Sequence, residues 1–587
     1  MSRLRMEIAG SRTGRRSLRA ERPLRGLDPA WLVAGACVAL VAYLALVPLG
    51  FLLWQSFRTP ETAAAAARFT LDNYRTAYAS AETARLFGNS LQFAAGTALV
   101  SFVAGTLLAW ANERTNTPCK RLFFGLSLIP LIIPGVLFVV AWILLGSPRI
   151  GLVNLVLQRL FATDAVFVDV YSMWGMVLVD GLHHAPIAFL LMSAAFRATD
   201  PALEESALMS GASVLDVARR ITLRLASPAI GATLLILFVR AVESFEVPAL
   251  LGLPAGIPVF TSAIYRVIHR YPSDIGLASA YAVTLLLITS LAVWLQSRIS
   301  ARGERYATIT GKGFRPRPID LGRWRFATVA LFVAYLAAVV GLPFLVLLWS
   351  SLHTYYAVPS LAGLATLTLD PYRFVLSQPS LARAASNSIA LALGSATLVM
   401  AVTSVVCWIV VRTRLPGRAL LDQLASLPIV FPGLVLGLAI MVFYLHVDIG
   451  VYGTLWILLI AYLTRFMPYG LRYATASMLQ IHRELEESAA MSGASWWTAF
   501  RRIVLPLLKP GLVAGWIYVV IVSVRELSSS ILLYSPGTEV ISVTIWELWE
   551  NGQHVELAAL GVMLVLVLLA LVMLAQASAR AFGIREA

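Results

Sequence analysis

Long apolar runs separated by short polar segments set the pattern of this chain. A membrane-spanning helix needs about 20 mostly apolar residues. Roughly twelve segments reach that length: near 31–54, 87–111, 122–145, 170–195, 228–251 and 275–297, then 326–349, 386–411, 420–445, 452–476, 510–533 and 557–579. They predict an all-α transmembrane fold of about twelve helices. The first run, Trp31 to Trp54, is too long for the core of a secretion signal and no small-residue cleavage site follows it, so it is expected to remain as an anchor.

The segments form two sets in the same order. Leu71, Asp72 and Tyr74 return as Leu369, Asp370 and Tyr372, and Pro134-Gly135 returns as Pro432-Gly433, each 298 residues later. LEESALMSGAS from Leu203 returns as LEESAAMSGAS from Leu485, 282 residues later. The offset falls by 16 because the first half has a longer loop around Gly146 to Asp169. This is a parallel duplication of six-helix units. It divides the chain into a basic N-terminal tail (1–30), a first half (31–297), a basic linker (298–325) and a second half (326–587).

Composition agrees with a membrane protein: 59% of residues are hydrophobic and 13% charged, against about 25% charged in soluble domains. The formal charge of +15 raises nucleic-acid binding as a possibility, and its placement removes it. Eight arginines precede the first apolar run and eight cations crowd residues 298–325. Cations beside long apolar segments mark cytoplasmic loops. Both termini, the linker and the basic loops 113–121 and 412–418 are therefore expected on the cytoplasmic side, with the lipid bilayer as partner and no nucleic acid. Cys37, Cys119 and Cys407 have neither disulfide nor metal-ligand spacing.

Between the fourth and fifth helices of each half lies a loop of about 30 residues, too polar to span a membrane and regular enough to be helical. The first copy carries Glu204, Glu205, Ser206, Ala207, Gly211 and Ala212; the second carries Glu486, Glu487, Ser488, Ala489, Gly493 and Ala494. Small residues admit another backbone closely, and the glycine permits a turn that other residues resist. The run of glutamate, small residue, Ala, three residues, Gly, nine residues and Ile-x-Leu-Pro resembles the "EAA" loop of ABC importer permeases. The second copy keeps Pro506, where the first has Arg224. The resemblance implies that Glu204–Ser213 and Glu486–Ser495 are coupling helices that dock on ATPase subunits.

The fused layout is similar to the permeases of ferric iron, thiamine and 2-aminoethylphosphonate importers. RELSSS from Arg525 and YSPGTEVISVTIWELWENGQ from Tyr534 look closest to those for ferric iron. What this resemblance implies is a permease in the bacterial cytoplasmic membrane. It would have two copies of a separate ATPase that bind ATP-Mg, and an extracytoplasmic substrate-binding protein. No cofactor and no catalytic residue are expected in the chain itself. A near match to a phosphate-binding loop at Gly311-Lys312 has Gly313 where Ser or Thr is needed and Tyr306 in place of the first glycine. The rival reading is a secondary transporter driven by an ion gradient, which can also hold twelve helices in two parallel repeats; the duplicated long loop favours the ATP-driven one.

Ionisable residues inside spans are costly and point to a pathway, a pair or a structural lock. Arg240, Glu243 and Glu246 in the fifth helix of the first half, and Arg525 and Glu526 in the second, are candidates for lining or gating the pathway. An ion pair that fixes packing would explain them as well. His183, His184 and Asp180 suggest a metal site, but ferric iron prefers hard oxygen donors and a permease needs weak contact, so none is expected.

Overall fold

The computed structural model describes residues 29–60, 66–198, 202–303 and 318–581. Most of the N-terminal tail and the middle of the linker lie outside these. The described chain is helical, and the halves run in parallel order. The first holds α1 (Pro29–Ser56), α2 (Ala81–Arg114), α3 (Gly135–Gly146), α4 (Met173–Ala198), α5 (Ala202–Met209), α6 (Ser227–Glu243) and α7 (Ile275–Gly303). The second holds α8 (Gly322–Ser351), α9 (Pro379–Arg412), α10 (Gly433–His446), α11 (Leu455–Met478), α12 (Glu484–Met491), α13 (Leu505–Val524) and α14 (His554–Ala581).

Among the described residues, eight helices are long and apolar enough to cross a membrane, or eleven when each sharply bent pair counts as one span. The remaining expected segment, 452–476, is α11, a 24-residue helix that carries Arg465 and Arg472.

The third segment of each half is broken rather than straight. Helix Lys120–Leu131 meets α3 at 97°, and Arg418–Val430 meets α10 at 108°. The breaks fall at Pro134-Gly135 and Pro432-Gly433, where the proline biases its predecessor out of helical geometry and itself caps the next helix. The fifth segments, expected to run through 228–251 and 510–533, also stop partway: α6 ends at Glu243 and α13 at Val524. Backbone freed at such depth needs partners within the protein. Thr261 Oγ1 donates to the Ser244 carbonyl at 2.7 Å, and Ser542 Oγ donates to the Glu526 carbonyl at 2.6 Å. The polar residues at these positions interrupt the helices and are met by hydroxyls from short helices Phe260–His269 and Ile541–Glu550.

Each half's first helix packs on the other half. α1 lies along α10, and α8 lies along α3. Tyr43 and Tyr444 share a 2.8 Å hydroxyl contact, and Thr117 and Thr328 one of 2.7 Å. Pro186 inside α4 frees the Leu182 carbonyl one turn back, which accepts from the Tyr335 hydroxyl at 3.5 Å. The exchange makes the four helix breaks converge at the seam between the halves.

Candidate functional site: a polar cluster at the seam and two duplicated loop helices

The ends of α6 and α13 and the starts of α3 and α10 bring the intramembrane charges together. A cavity of about 120 Å³ is lined by Asp180, His183, His184, Arg240, Glu243, Glu246, Arg465, Arg525 and Glu526. That is room for a few water molecules. All five residues expected to line or gate the pathway therefore share one site.

Each charge has a definite neighbour. Arg465 Nε lies 3.0 Å from Glu526 Oε2, while Glu526 Oε1 accepts from the backbone N–H and hydroxyl of Ser529, both at 3.0 Å. Arg240 Nη1 lies 3.4 Å from Glu243 Oε2, and its Nη2 donates to the Tyr469 hydroxyl at 2.5 Å. Arg525 donates to the Leu131 carbonyl. The last two contacts join first-half and second-half residues. The ion pairs lie within each half, and the two crossing hydrogen bonds, whose loss would leave buried polar groups unsatisfied, hold the halves in one arrangement.

Asp180 Oδ1 accepts from Ser244 Oγ at 3.1 Å and stands 3.4 Å from His184 Nδ1. The His183 ring packs on Phe138, with centroids 4.8 Å apart. Among the described residues, no group of three or more His, Cys, Asp or Glu is arranged to hold a metal ion.

Arg465 and Tyr469 escaped the sequence reading. Arg465 did carry a signal, since it is an arginine in an apolar segment, and by the 282-residue offset it replaces His183. Gly433 belongs with it: a Cβ there would stand 1.8 Å from Arg465 Nη1, so only glycine leaves the guanidinium its place. The equivalent Gly135 is looser, with the Glu246 carboxyl carbon 3.4 Å from where a Cβ would be.

The two duplicated loops form helices as expected, and they divide the proposed coupling residues by role. Glu204, 3% exposed, pairs at 3.4 Å with buried Arg114 at the end of α2 and accepts from Thr222 Oγ1 at 2.9 Å. Glu486 pairs at 3.0 Å with Arg412 at the end of α9 and accepts from Trp408 Nε1 at 3.2 Å. Both glutamates anchor their loop to a long helix. Glu205, Ala207, Ala212, Ala489 and Ala494 are half-buried, while Ser206, Glu487 and Ser488 are exposed. Gly211 and Gly493 take φ of +87° and +81°, and the N–H of Ala212 and of Ala494 closes each helix on the carbonyl of Ala207 and Ala489 at 3.0 Å.

Beside these polar residues, each loop helix also offers apolar side chains outward. Met209 and Met491 are 91% and 90% exposed, with Leu203 and Leu485 on the same elements also exposed. Exposed methionines suit an adaptable protein contact. The repeat contained them, but only the fold shows that they, rather than the first glutamates, face out.

A family profile described as "Binding-protein-dependent transport system inner membrane component" matches residues 101–304 and again 401–585. The chain belongs to this family. It is a multi-pass membrane permease of the ABC importer class, with the family's domain present twice. Similar proteins include the ferric transport system permease of Actinobacillus pleuropneumoniae, 27% identical over 83% of this chain and 70% of that one. An Fe(3+)-transport system permease of Haemophilus influenzae is 25% identical over 82% of this chain and 88% of its own. A putative 2-aminoethylphosphonate transport permease of Salmonella typhimurium is 29% identical, over 28% of this chain and 62% of its own.

Proposed function

We propose that this chain forms the membrane pathway of a ferric-iron importer. Ferric-transport relatives align across both halves, at 78–83% of this chain, whereas the phosphonate-transport relative aligns over 28%. The observation that carries the pathway reading is the convergence of four helix breaks on one polar cluster at the seam. Discontinuous helices at mid-membrane depth mark substrate sites in transporters.

In this reading the termini and coupling helices face the cytoplasm of a bacterial cell. Two copies of a separate ATPase, which bind ATP-Mg, dock on α5 and α12, and an extracytoplasmic binding protein delivers the cargo to the opposite face. ATP binding draws the coupling helices together. Because Glu204 and Glu486 anchor those helices to α2 and α9, the halves rock with them and open outward; hydrolysis resets the pathway. Opening must part Arg240 from Tyr469 and Arg525 from the Leu131 carbonyl. Glu243, Glu246, Glu526 and Asp180 supply the hard oxygen donors that suit Fe³⁺. The neighbouring arginines offset their charge, so that a trivalent ion passes without being trapped.

The test is uptake by vesicles holding the permease, its ATPase and its binding protein, with radioactive Fe³⁺, thiamine and 2-aminoethylphosphonate offered in parallel. ATP-dependent accumulation of iron alone is expected. Accumulation of either organic substrate without iron overturns the cargo, and uptake driven by an ion gradient without ATP overturns the mechanism.

A further inference from the structure

Away from the seam, the outer wall of the second half carries a groove of about 510 Å³ between α9 and α13. Thr397 and Met400 form one side, and Pro506, Lys509, Val513 and Trp516 form the other. The latter four recur every three or four residues, which places them in one stripe along α13. The Trp516 indole N–H donates to Thr397 Oγ1 at 3.1 Å and ties the two walls at the far end. Apart from Lys509 and that tied pair, the named lining is hydrocarbon.

Depth says what kind of molecule can lie there. At about 1.5 Å per residue, the sixteen residues from Lys509 to Arg525 put the lysine roughly 24 Å from the mid-depth cluster, on the side of the coupling helices. Half the hydrocarbon thickness is about 15 Å, so Lys509 stands among headgroups, Val513 at the boundary below them and Trp516 at the start of the acyl region. Arg501 and Arg502, both exposed, add positive charge on the turn that precedes α13. An apolar slot with a cationic mouth at this depth is complementary to an anionic lipid.

The equivalent place in the first half is built differently. Gly231 corresponds to Val513 at the 282-residue offset, and there Ile299 of α7 lies 3.4 Å from where a Cβ would stand. Lys509 has Ser227 as its counterpart. Neither the cation nor the open wall is repeated at these two positions, and the groove's mouth adjoins the root of the second coupling loop.

We propose that this groove holds one anionic phospholipid, its phosphate at Lys509 and its acyl chain running inward past Val513 and Met400 toward Trp516. Only the naming of the leaflet rests on the orientation given above. Binding can be measured without transport, so its failure and that of the importer reading are separable.

The experiment is native mass spectrometry of the full chain in detergent, titrated with phosphatidylglycerol and with phosphatidylcholine of matched chains. Wild type is expected to retain one more phosphatidylglycerol than phosphatidylcholine, at about fivefold tighter binding for each cation engaged. Lys509→Gln should weaken that preference about fivefold and leave phosphatidylcholine binding unchanged. Val513→Trp, which fills the slot, should lose the bound lipid of either kind. Equal retention of both lipids by wild type, or an undiminished preference in Lys509→Gln, overturns the site. Should Val513→Trp not fold, Lys509→Gln decides alone, because Lys509 is exposed and the change leaves the apolar lining in place.

Discussion

Arg240 on α6 donates a 2.5 Å hydrogen bond to the Tyr469 hydroxyl on α11, so a cation of the first half is held by a phenol of the second. A hydrogen bond to a charged group contributes about 1.5–3 kcal/mol, or roughly tenfold and more in an equilibrium between closed and open seams. Tyr469→Phe removes the bond and keeps the ring. Its ATPase rate without binding protein is expected to rise severalfold over wild type in the reconstituted complex. An unchanged basal rate would show that the contact does not hold the seam.

Glu243 and Glu526 are expected to respond differently to the same change. Glu526 balances Arg465 and takes two hydrogen bonds from Ser529. Glu526→Gln leaves a buried guanidinium unpaired, a loss of about 3–5 kcal/mol, so both complex yield and uptake should drop. Among the described residues, Glu243 has a longer 3.4 Å contact to Arg240. Glu243→Gln should assemble normally and transport poorly. Size-exclusion yield measured beside vesicle uptake separates the two, and normal uptake by Glu243→Gln would remove it from the pathway.

Gly433 and Gly135 occupy equivalent turns yet differ in room. A methyl group on Gly433 would meet Arg465 Nη1 at 1.8 Å, while one on Gly135 would meet Glu246 at an ordinary 3.4 Å. Gly433→Ala is expected to displace Arg465 and abolish uptake, with a lowered melting temperature, and Gly135→Ala to stay close to wild type. Equal tolerance of both would mean that Arg465 has another place to go.

Docking should depend on the exposed methionines. Met209→Glu with Met491→Glu puts charge on the apolar outer face of both coupling helices and leaves the permease folded, so ATPase co-purification should fall to background. Glu205→Arg with Glu487→Arg should also detach the ATPase. Glu204→Gln and Glu486→Gln remove the carboxylates that pair with buried Arg114 and Arg412, and are expected instead to lower thermal stability. Full ATPase recovery with the methionine pair would refute the docking face.

Orientation has its own check. A cysteine at exposed Gly537 should react with an impermeant thiol reagent from outside the cell, whereas one at Gly211 should react only after the membrane is opened. The reverse labelling would invert the topology.

The sequence by itself determined the helical membrane fold, the duplication and the two helical loops that repeat with it, because each is written in local pattern. Apolar length follows from bilayer thickness, and the repeat is legible as two offsets, 298 and 282. It also marked Arg240, Glu243, Glu246, Arg525 and Glu526, since a charge in an apolar run is conspicuous wherever the helix lies. The tertiary structure alone decided what those charges meet. Glu526 pairs with Arg465 from another helix, and Arg240 reaches Tyr469 in the other half. Arg114 finds Glu204 ninety residues on, as its repeat equivalent Arg412 finds Glu486. Such partners are chosen by the packing of distant segments, and nothing in the local pattern records it. The same holds for the coupling loops, where adjacent glutamates look alike in sequence. Helix geometry turns Glu204 inward and leaves Met209 in the open, because residues one turn and a half apart fall on opposite faces.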